Sequence, residues 1–558
     1  MRVPSEARLP GYLAAAALLC WLPTLGWRGY WYPDEPDVAL PILEMFARGD
    51  WVVPTQNGQP WLDYPPLAYW GGLFWSTLAG APSALLLRLT PLLFGLAFVL
   101  CSARLARLLA NTTAPMRGEA AATYAALLAL ATPLVWFQSI NIHVDMGFAA
   151  AQAAGLWLYL EGDARTGWQR YHRLSASFAC FGLAVLAKGP LGLLLPGFIL
   201  TLWHLSYREW RRVWLLAPLT LVALAVAMVW WWPLVQRLGL PYVGQEFWLQ
   251  NFDRFSHTSR GHGGKSVWFY LQNLPGDLAL WCILLPPALQ LAWQRRGDRR
   301  VRLLLLWCVI SGIFLSLAST KRSVYLLPAY PALFALLGLW LVNRPSAAWL
   351  RALLWFAGTV FALGAAAALI GPLTHLGAQP AFAVLAGSLR WPLLGIGGLL
   401  GMGAVLALGA TRNTPAAQPL TSATPEPLPR LLRGLVASAI TLFLLLTAVS
   451  WWVLPVIDTV RSYQPAAAWL DAHLPAAAPI GFYVPGKETT KRSAWLCYLP
   501  GHRLEFFSDA ATAQRWLSLQ PGRLLLTDPE HALAFEGTQT LQQWTISTTH
   551  WTVLQARP

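Results

Sequence analysis

Residues 83–108 read SALLLRLTPLLFGLAFVLCSARLARL. An α-helix needs about 20 mainly apolar residues to cross the hydrocarbon core of a bilayer. This run exceeds that length and closes on Arg104 and Arg107, the cations that mark a cytoplasmic helix end. Similar runs recur along the chain. Candidate spans fall at 11–29, 83–108, 120–138, 142–160, 173–187, 189–206, 213–235, 276–294, 302–319, 324–342, 349–371, 391–410 and 433–454. The stretch 173–206 is the weakest pair, because it reads equally as one interrupted segment. The run Pro65–Leu78 is short and Trp-rich, and is expected to lie at the interface or re-enter without crossing.

The arginines test this reading independently. With Arg2 and Arg8 in the cytoplasm, alternate loops should be basic. They carry Arg104, Arg107 and Arg117; Arg165, Arg170 and Arg173; Arg208, Arg211 and Arg212; Arg295, Arg296, Arg299, Arg300 and Arg302; Arg344 and Arg351; Arg412, Arg430 and Arg433. The intervening loops are poor in base. The first, 30–64, sets Asp34, Glu35, Asp37, Glu44, Asp50 and Asp63 against Arg48 alone. Composition agrees: 56% of the 558 residues are hydrophobic and 12% charged, about half the charged fraction of a soluble domain. The 32 Trp and 16 Tyr suit interfacial belts. The net charge of +15 is spread through short loop clusters, so a nucleic-acid partner is not expected.

An odd number of spans places the tail, 455–558, outside the cytoplasm. Its composition changes to turn residues and short β-like runs at 480–484, 503–507 and 523–527, with helical stretches at 464–473 and 509–519, which predicts a small α/β domain. The segment 411–432 is Pro/Ser/Thr-rich at its start and reads as a cytoplasmic linker, leaving 1–454 as the membrane domain with outer loops 30–82 and 236–275. The run 11–27 lacks an A-x-A-like cleavage site and is expected to be an uncleaved first helix. The six cysteines show no CxxC spacing, which supports neither a zinc ribbon nor a disulfide framework.

The chemistry-bearing residues gather on the outer side. Directly after the first span stands Tyr32-Pro33-Asp34-Glu35-Pro36-Asp37. Three carboxylates within four residues repel one another, so one should titrate high or share a cation. That suits a general base or a hard divalent metal, and equally an acidic turn capping a helix at 36–48. Asp63 adds an acid at the membrane boundary. In the turn Asn141-Ile142-His143-Val144-Asp145, Asp145 lies on the same side, where its ordinary role would be a helix cap. Against the positive-inside pattern stand Arg88, Lys188, Lys321 and Arg322, with Arg254, Arg260, His262 and Lys265 in the loop 236–275. Cations at membrane depth are costly and need partners. Snorkelling to headgroups accounts for some, but several on one face suit an anion such as a phosphate.

The run WYPDEPD, followed by ARGDWVVPTQNGQPWLDYPPLAYW, resembles the first outer loop of polyprenyl-phosphate-sugar-dependent glycosyltransferases of the GT-C fold, particularly the bacterial lipid A aminoarabinose transferases, related to the protein O-mannosyltransferases. Leu186-Ala187-Lys188-Gly189, Phe247-Trp248 through Arg254-Phe255, and Lys321 through Tyr325-Leu326-Leu327-Pro328 resemble later pieces of that family. The likeness implies an α-helical polytopic inner-membrane enzyme of about thirteen spans, with a small C-terminal periplasmic α/β domain. It implies an inverting transfer of a sugar from a polyprenyl (undecaprenyl) phosphate to lipid A or another envelope acceptor. Carried over by position, Asp34 is the catalytic carboxylate, with Glu35 beside it and Asp145 the second-loop acid. Lys188, Arg254, Lys321, Arg322, Tyr325 and Arg88 would attend the donor phosphate, and Asp37, Asp63 and Asn251 the acceptor or a metal.

Three positions depart from the pattern. The family's Lys stands here as Tyr64, its Arg as Asp37 and its His as Asn251, so a divalent metal and the identity of the sugar are left open. The competing class is a transporter or flippase of a lipid-linked substrate, which would place ionisable residues near mid-membrane on paired broken helices.

Overall fold

The computed structural model describes residues 8–31, 33–110, 115–249, 265–343, 345–370, 380–412, 427–475, 478–483, 489–499, 502–520, 522–546 and 549–557. It is a helical membrane bundle carrying a small α/β domain. Leu9–Trp21 (α1) continues as a 3-10 turn, Leu22–Gly26. The first long loop holds Asp34–Arg48 (α2), a two-residue hairpin of Thr55–Gln56 (β1) and Gln59–Pro60 (β2), and the short helix Leu67–Ala79 (α3). Then follow Ala84–Ala110 (α4), Pro115–Leu130 (α5), Pro133–Ile140 (α6), Asp145–Asp163 (α7), Gly167–Lys188 (α8), Leu191–Leu205 (α9), Trp210–Leu238 (α10) and Leu240–Trp248 (α11). Phe269–Leu278 (α12), Leu285–Gln294 (α13), Arg299–Leu317 (α14), Tyr330–Asn343 (α15), Ala347–Ile370 (α16), Pro380–Thr411 (α17), Pro427–Ala448 (α18) and Leu454–Arg461 (α19) complete the bundle.

Each interval read as a span contains helix among the described residues, and the chain is a multi-pass membrane protein. Among the described residues, nine helices are long and apolar enough to cross a bilayer by length and composition. The count is ten if α5 and α6, bent by 66° at their junction, form one span. Pro133 opens α6 and forces the preceding Thr132 into extended backbone, which breaks the helix there. The stretch 173–206 is two antiparallel helices. Lys188 at the end of α8 meets Asp145 at the start of α7, whereas His204 at the end of α9 meets Tyr159 near the end of α7. The reversal needs Gly189, whose φ is +78°, and Gly192, where a Cβ would strike the backbone of Ala184 and Val185.

The arginine-rich helix ends are tied together: Asp163 accepts from Arg212 and from Arg299 (2.9 Å), and Glu209 accepts from Arg299 (2.6 Å). All the acids of the candidate site lie at the opposite ends.

The tail forms a five-stranded sheet ordered Leu504–Phe507 (β4), Ile480–Tyr483 (β3), Leu524–Thr527 (β5), Thr549–Ala556 (β7) and Thr538–Ile546 (β6). The first three are parallel, and β7 is antiparallel to both β5 and β6. Strands β3 and β5 are buried throughout, as central parallel strands covered on both faces should be. Gln464–His473 (α20) and Thr489–Leu496 (α21) cover one face around Leu470 and Trp495; Ala510–Ser518 (α22) covers the other with Trp516 and Leu517. A short helix, Pro529–Ala532 (α23), precedes the hairpin. The runs read at 480–484, 503–507 and 523–527 are these strands. The β6–β7 hairpin escaped the reading because β6 is a mostly exposed edge rich in Thr and Gln.

Candidate active site

Helix α2 begins at Asp34, after Pro33, and carries Asp34, Glu35 and Asp37 in its first turn. Consecutive helical residues project about 100° apart, and Asp34 and Glu35 go separate ways. The Arg322 Nη2 donates to Asp34 Oδ2 at 2.5 Å, with both side chains about 30% exposed (28% and 31%). Burial would lower the Arg322 pKa, but the hydrogen bond and charge of Asp34 raise it above the ordinary value.

Glu35 is 1% exposed and carries no solvent contact to speak of. Arg28 donates to it at 2.7 and 3.3 Å and Arg88 at 2.9 and 2.8 Å; the backbone N–H groups of Trp31 and Ile142 donate at 3.0 Å each. Burial alone would raise this carboxyl, but Arg28 and Arg88 overcome it and hold the group far below the usual carboxylate range. Arg88 spends its remaining N–H groups on the carbonyls of Leu25 (2.7 Å), Arg28 (2.9 Å) and Gly29 (2.6 Å). Its five donors are all occupied, so Arg88 has none for a phosphate. The expectations of Glu35 in catalysis and Arg88 on the donor are corrected here: both are buried pins that fix the loop 25–35 to α4 and to the turn 140–142.

Asp145 opens α7, pairs with Lys188 and caps nothing. The Lys188 ammonium also sits 4.0 Å from the centre of the Tyr325 ring, a cation–π contact. Lys188 and Tyr325 line a cavity of about 450 Å³. Leu191, Leu194, Phe148, Trp231, Phe247 and Phe314 form much of its wall, and Asp63 and Tyr64 also line it. The Arg322 guanidinium lies in the field of Asp34, Tyr325 and Asp145. Asp34, Arg322, Tyr325, Lys188 and Asp145 are thus one continuous polar group.

His143 belongs with them, and sequence reasoning passed over it. Burial lowers its pKa, against the opposing pull of Asp34 and Asp145. The available signal was its place two residues before Asp145 in a turn pinned by Ile142 N–H on Glu35.

Asp37, one turn after Asp34, is different again. Burial pushes its carboxyl up to about 7, the Ser493 hydroxyl opposes, and the charges of Asp63 and Asp34 add to the rise. Ser493 Oγ donates to Asp37 Oδ1 at 2.6 Å. Lys321 does not line the cavity. It is 4% exposed, and its ammonium donates to the carbonyls of Ala318 (2.6 Å) and Lys265 (3.2 Å). Its expected contact with donor phosphate is corrected to a clamp on the segment at 265. Asn251, Arg254, Arg260 and His262 lie outside the described residues. Among the described residues, no three His, Cys, Asp or Glu side chains converge as metal ligands.

No protein-family model matches the chain. The undecaprenyl phosphate-alpha-4-amino-4-deoxy-L-arabinose arabinosyl transferase 2 of Pseudomonas fluorescens (strain Pf0-1) is 30% identical over 346 residues, covering 59% of this chain and 58% of that protein. The chain thus spans less than two thirds of that relative's length. The transferase 1 of Sodalis glossinidius (strain morsitans) is 30% identical over 405 residues, 70% of this chain and 68% of that protein. This chain belongs to the undecaprenyl phosphate-aminoarabinose arabinosyl transferase family. Among solved structures, ArnT from Cupriavidus metallidurans bound to undecaprenyl phosphate superposes with a TM-score of 0.76 at 21% identity, covering 98% of this chain and 99% of that one. The fold is therefore shared end to end, small C-terminal domain included, and the arabinosyl transferase family places the chain in the inner membrane.

Proposed function

We propose that this chain transfers a sugar of the 4-amino-4-deoxy-L-arabinose type from undecaprenyl phosphate to lipid A or a closely similar envelope acceptor, on the periplasmic face. The observation that carries this reading is the cavity lined by Lys188 and Tyr325, with the Asp34–Arg322 pair in the field of Tyr325. Its apolar, aromatic wall suits a polyprenyl chain. Lys188 and Arg322 supply positive charge where the phosphate leaves. An acceptor oxygen attacks the anomeric carbon from the side opposite the phosphate, and the carbon–oxygen bond to phosphate breaks. The charge that develops on that oxygen is stabilised by the fixed cations. The proton of the acceptor passes to Asp34. The arginine pattern along the chain supports the periplasmic side, with the tail 455–558 on the same side.

The test is label transfer by the purified full chain in detergent, from radiolabelled undecaprenyl phosphate-aminoarabinose to lipid A. Asp34→Asn keeps size and one acceptor for Arg322 but removes the base, so turnover should fall by roughly 10²–10⁴ with donor affinity retained. Near-normal turnover in that variant, or no transfer by the unaltered chain to any lipid A acceptor, would overturn the reading.

A further inference from the structure

Neither the sequence motifs nor the mechanism above gives the C-terminal domain a task. Several of its contacts fall on residues 29–31 and 33–37, which lead into and begin α2. Asp458 Oδ1, at the top of the last bundle helix, accepts from Gly29 N–H (3.0 Å) and from the Trp31 indole (2.6 Å). The Arg461 guanidinium lies 5.2 Å from the centre of the Trp31 ring. From the domain itself, the Tyr498 hydroxyl accepts from Tyr30 N–H, and the two rings pack with centroids 5.6 Å apart. Cys497 Sγ lies 3.8 Å from the Pro36 carbonyl, and Ser493 donates to Asp37 at 2.6 Å. The approach is close enough that a Cβ on Gly29 would collide with the Tyr498 hydroxyl and the Ser462 hydroxyl.

Asp34 is the first residue of α2 and stands in the middle of this stretch. Asp34 and Asp37 share one helix face, as residues three apart do. Arg322 fixes Asp34 from the bundle side, and Ser493 fixes Asp37 from the domain side.

We infer that the C-terminal domain is a working part of the active site, in which Ser493 acts as a positioning residue for Asp34 by holding the Asp37 carboxylate one turn away. The inference rests on Asp34 being the base. A charged Asp37 makes its neighbour Asp34 more basic, and the Ser493 hydroxyl favours that charged form. Among the described residues, the other titratable groups acting on or facing Asp37 include Asp63 across the loop, Tyr69 on α3 and Cys497 on the domain. Burial holds the last two well above their ordinary values, so neither carries charge near neutrality.

The experiment compares the full chain with Ser493→Ala, Ser493→Thr and Tyr498→Phe, each in detergent with the labelled undecaprenyl phosphate-aminoarabinose donor. Ser493→Ala should lower kcat about tenfold and leave the donor KM within about twofold. It should also move the acidic limb of the pH–rate profile up by about one unit, the worth of one hydrogen bond to a charged group. Ser493→Thr keeps a hydroxyl and should restore most of both. Tyr498→Phe, which loses the bond to Tyr30 without touching Asp37, should lower kcat without shifting the limb. A Ser493→Ala profile and kcat equal to those of the unaltered chain would overturn the inference, as would Ser493→Thr resembling Ser493→Ala. Should Ser493→Ala not stay monodisperse, the Ser493→Thr and Tyr498→Phe profiles decide alone. If Asp34→Asn keeps its turnover, the base assignment has failed instead.

Discussion

Asp34 and Glu35 are neighbours in the chain with opposite fates. Glu35 is buried beneath two guanidiniums and two backbone N–H groups, and every Arg88 donor is used up around it. Asp34 pairs with Arg322 and is nearly a third exposed, and Arg322 lies in the field of Tyr325, a residue of the cavity wall. A saturated ion cluster does no chemistry, because nothing in it is left to change partner. A partly exposed ion pair has that freedom: in the proposed mechanism a leaving phosphate competes for Arg322, and Asp34 is released toward a proton. The difference arises from a single residue step in a helix, which turns a side chain by about 100°.

The largest effect should come from the buried partner. Glu35→Ala leaves Arg28 and Arg88 charged and unpaired in the interior, which costs about 3–5 kcal/mol. The expected outcome is a sharp fall in thermal stability in detergent, followed by size-exclusion chromatography, with turnover lost through unfolding. A stable, folded Glu35→Ala protein with altered pH dependence would erase the contrast with Asp34.

Lys188→Ala should act on the other side of the comparison. Lys188 is 16% exposed at the side chain and lies at the cavity wall. Its removal should leave the fold intact and cost about 2 kcal/mol in donor kcat/KM, roughly thirtyfold. Binding of undecaprenyl phosphate alone, by fluorescence or calorimetry, checks it. Unchanged affinity would make Lys188 merely the partner of Asp145.

How much of this was readable in the sequence follows from the range of each interaction. Bilayer length and arginine bias are properties of the chain itself, so the helices were legible, the Gly189 reversal being the least certain; the 66° break between α5 and α6, inside the interval 120–138, was not. Asp34, Asp145 and Lys188 could be singled out because acids and bases on one face stand out against apolar surroundings, and the structure joins Lys188 to Asp145. The separation of Asp34 from Glu35 was not legible: adjacent acids look alike until the distant partners, Arg88 in α4 and Arg322 before α15, are in place. Lys321 misled for the same reason, since its partners are backbone carbonyls, which have no sequence signature. Ser493 lies more than 450 residues from Asp37, beyond any local pattern.

The smallest effect concerns Asp37, intermediate between its two neighbours: half-buried where Glu35 is fully buried, and without a cation among its principal influences. Its folded-state pKa, about 7, lies above the ordinary carboxylate value. Between the two values the folded chain binds more protons than the unfolded one, so folding weakens as pH rises through that window and stays weakened above it. Asp37→Asn removes this penalty while its amide oxygen still accepts from Ser493. The variant should therefore match the unaltered chain in stability near pH 4 and exceed it at pH 8 by roughly 1–3 kcal/mol. It should at the same time turn over more slowly, because Asp34 loses the charged neighbour that keeps it basic. Thermal unfolding at the two pH values, with turnover on the same samples, reads both. A gain of stability at pH 8 accompanied by a loss of rate would mark Asp37 as a carboxylate kept for its work on Asp34. A loss of both would place it with Glu35 among the pins of the fold.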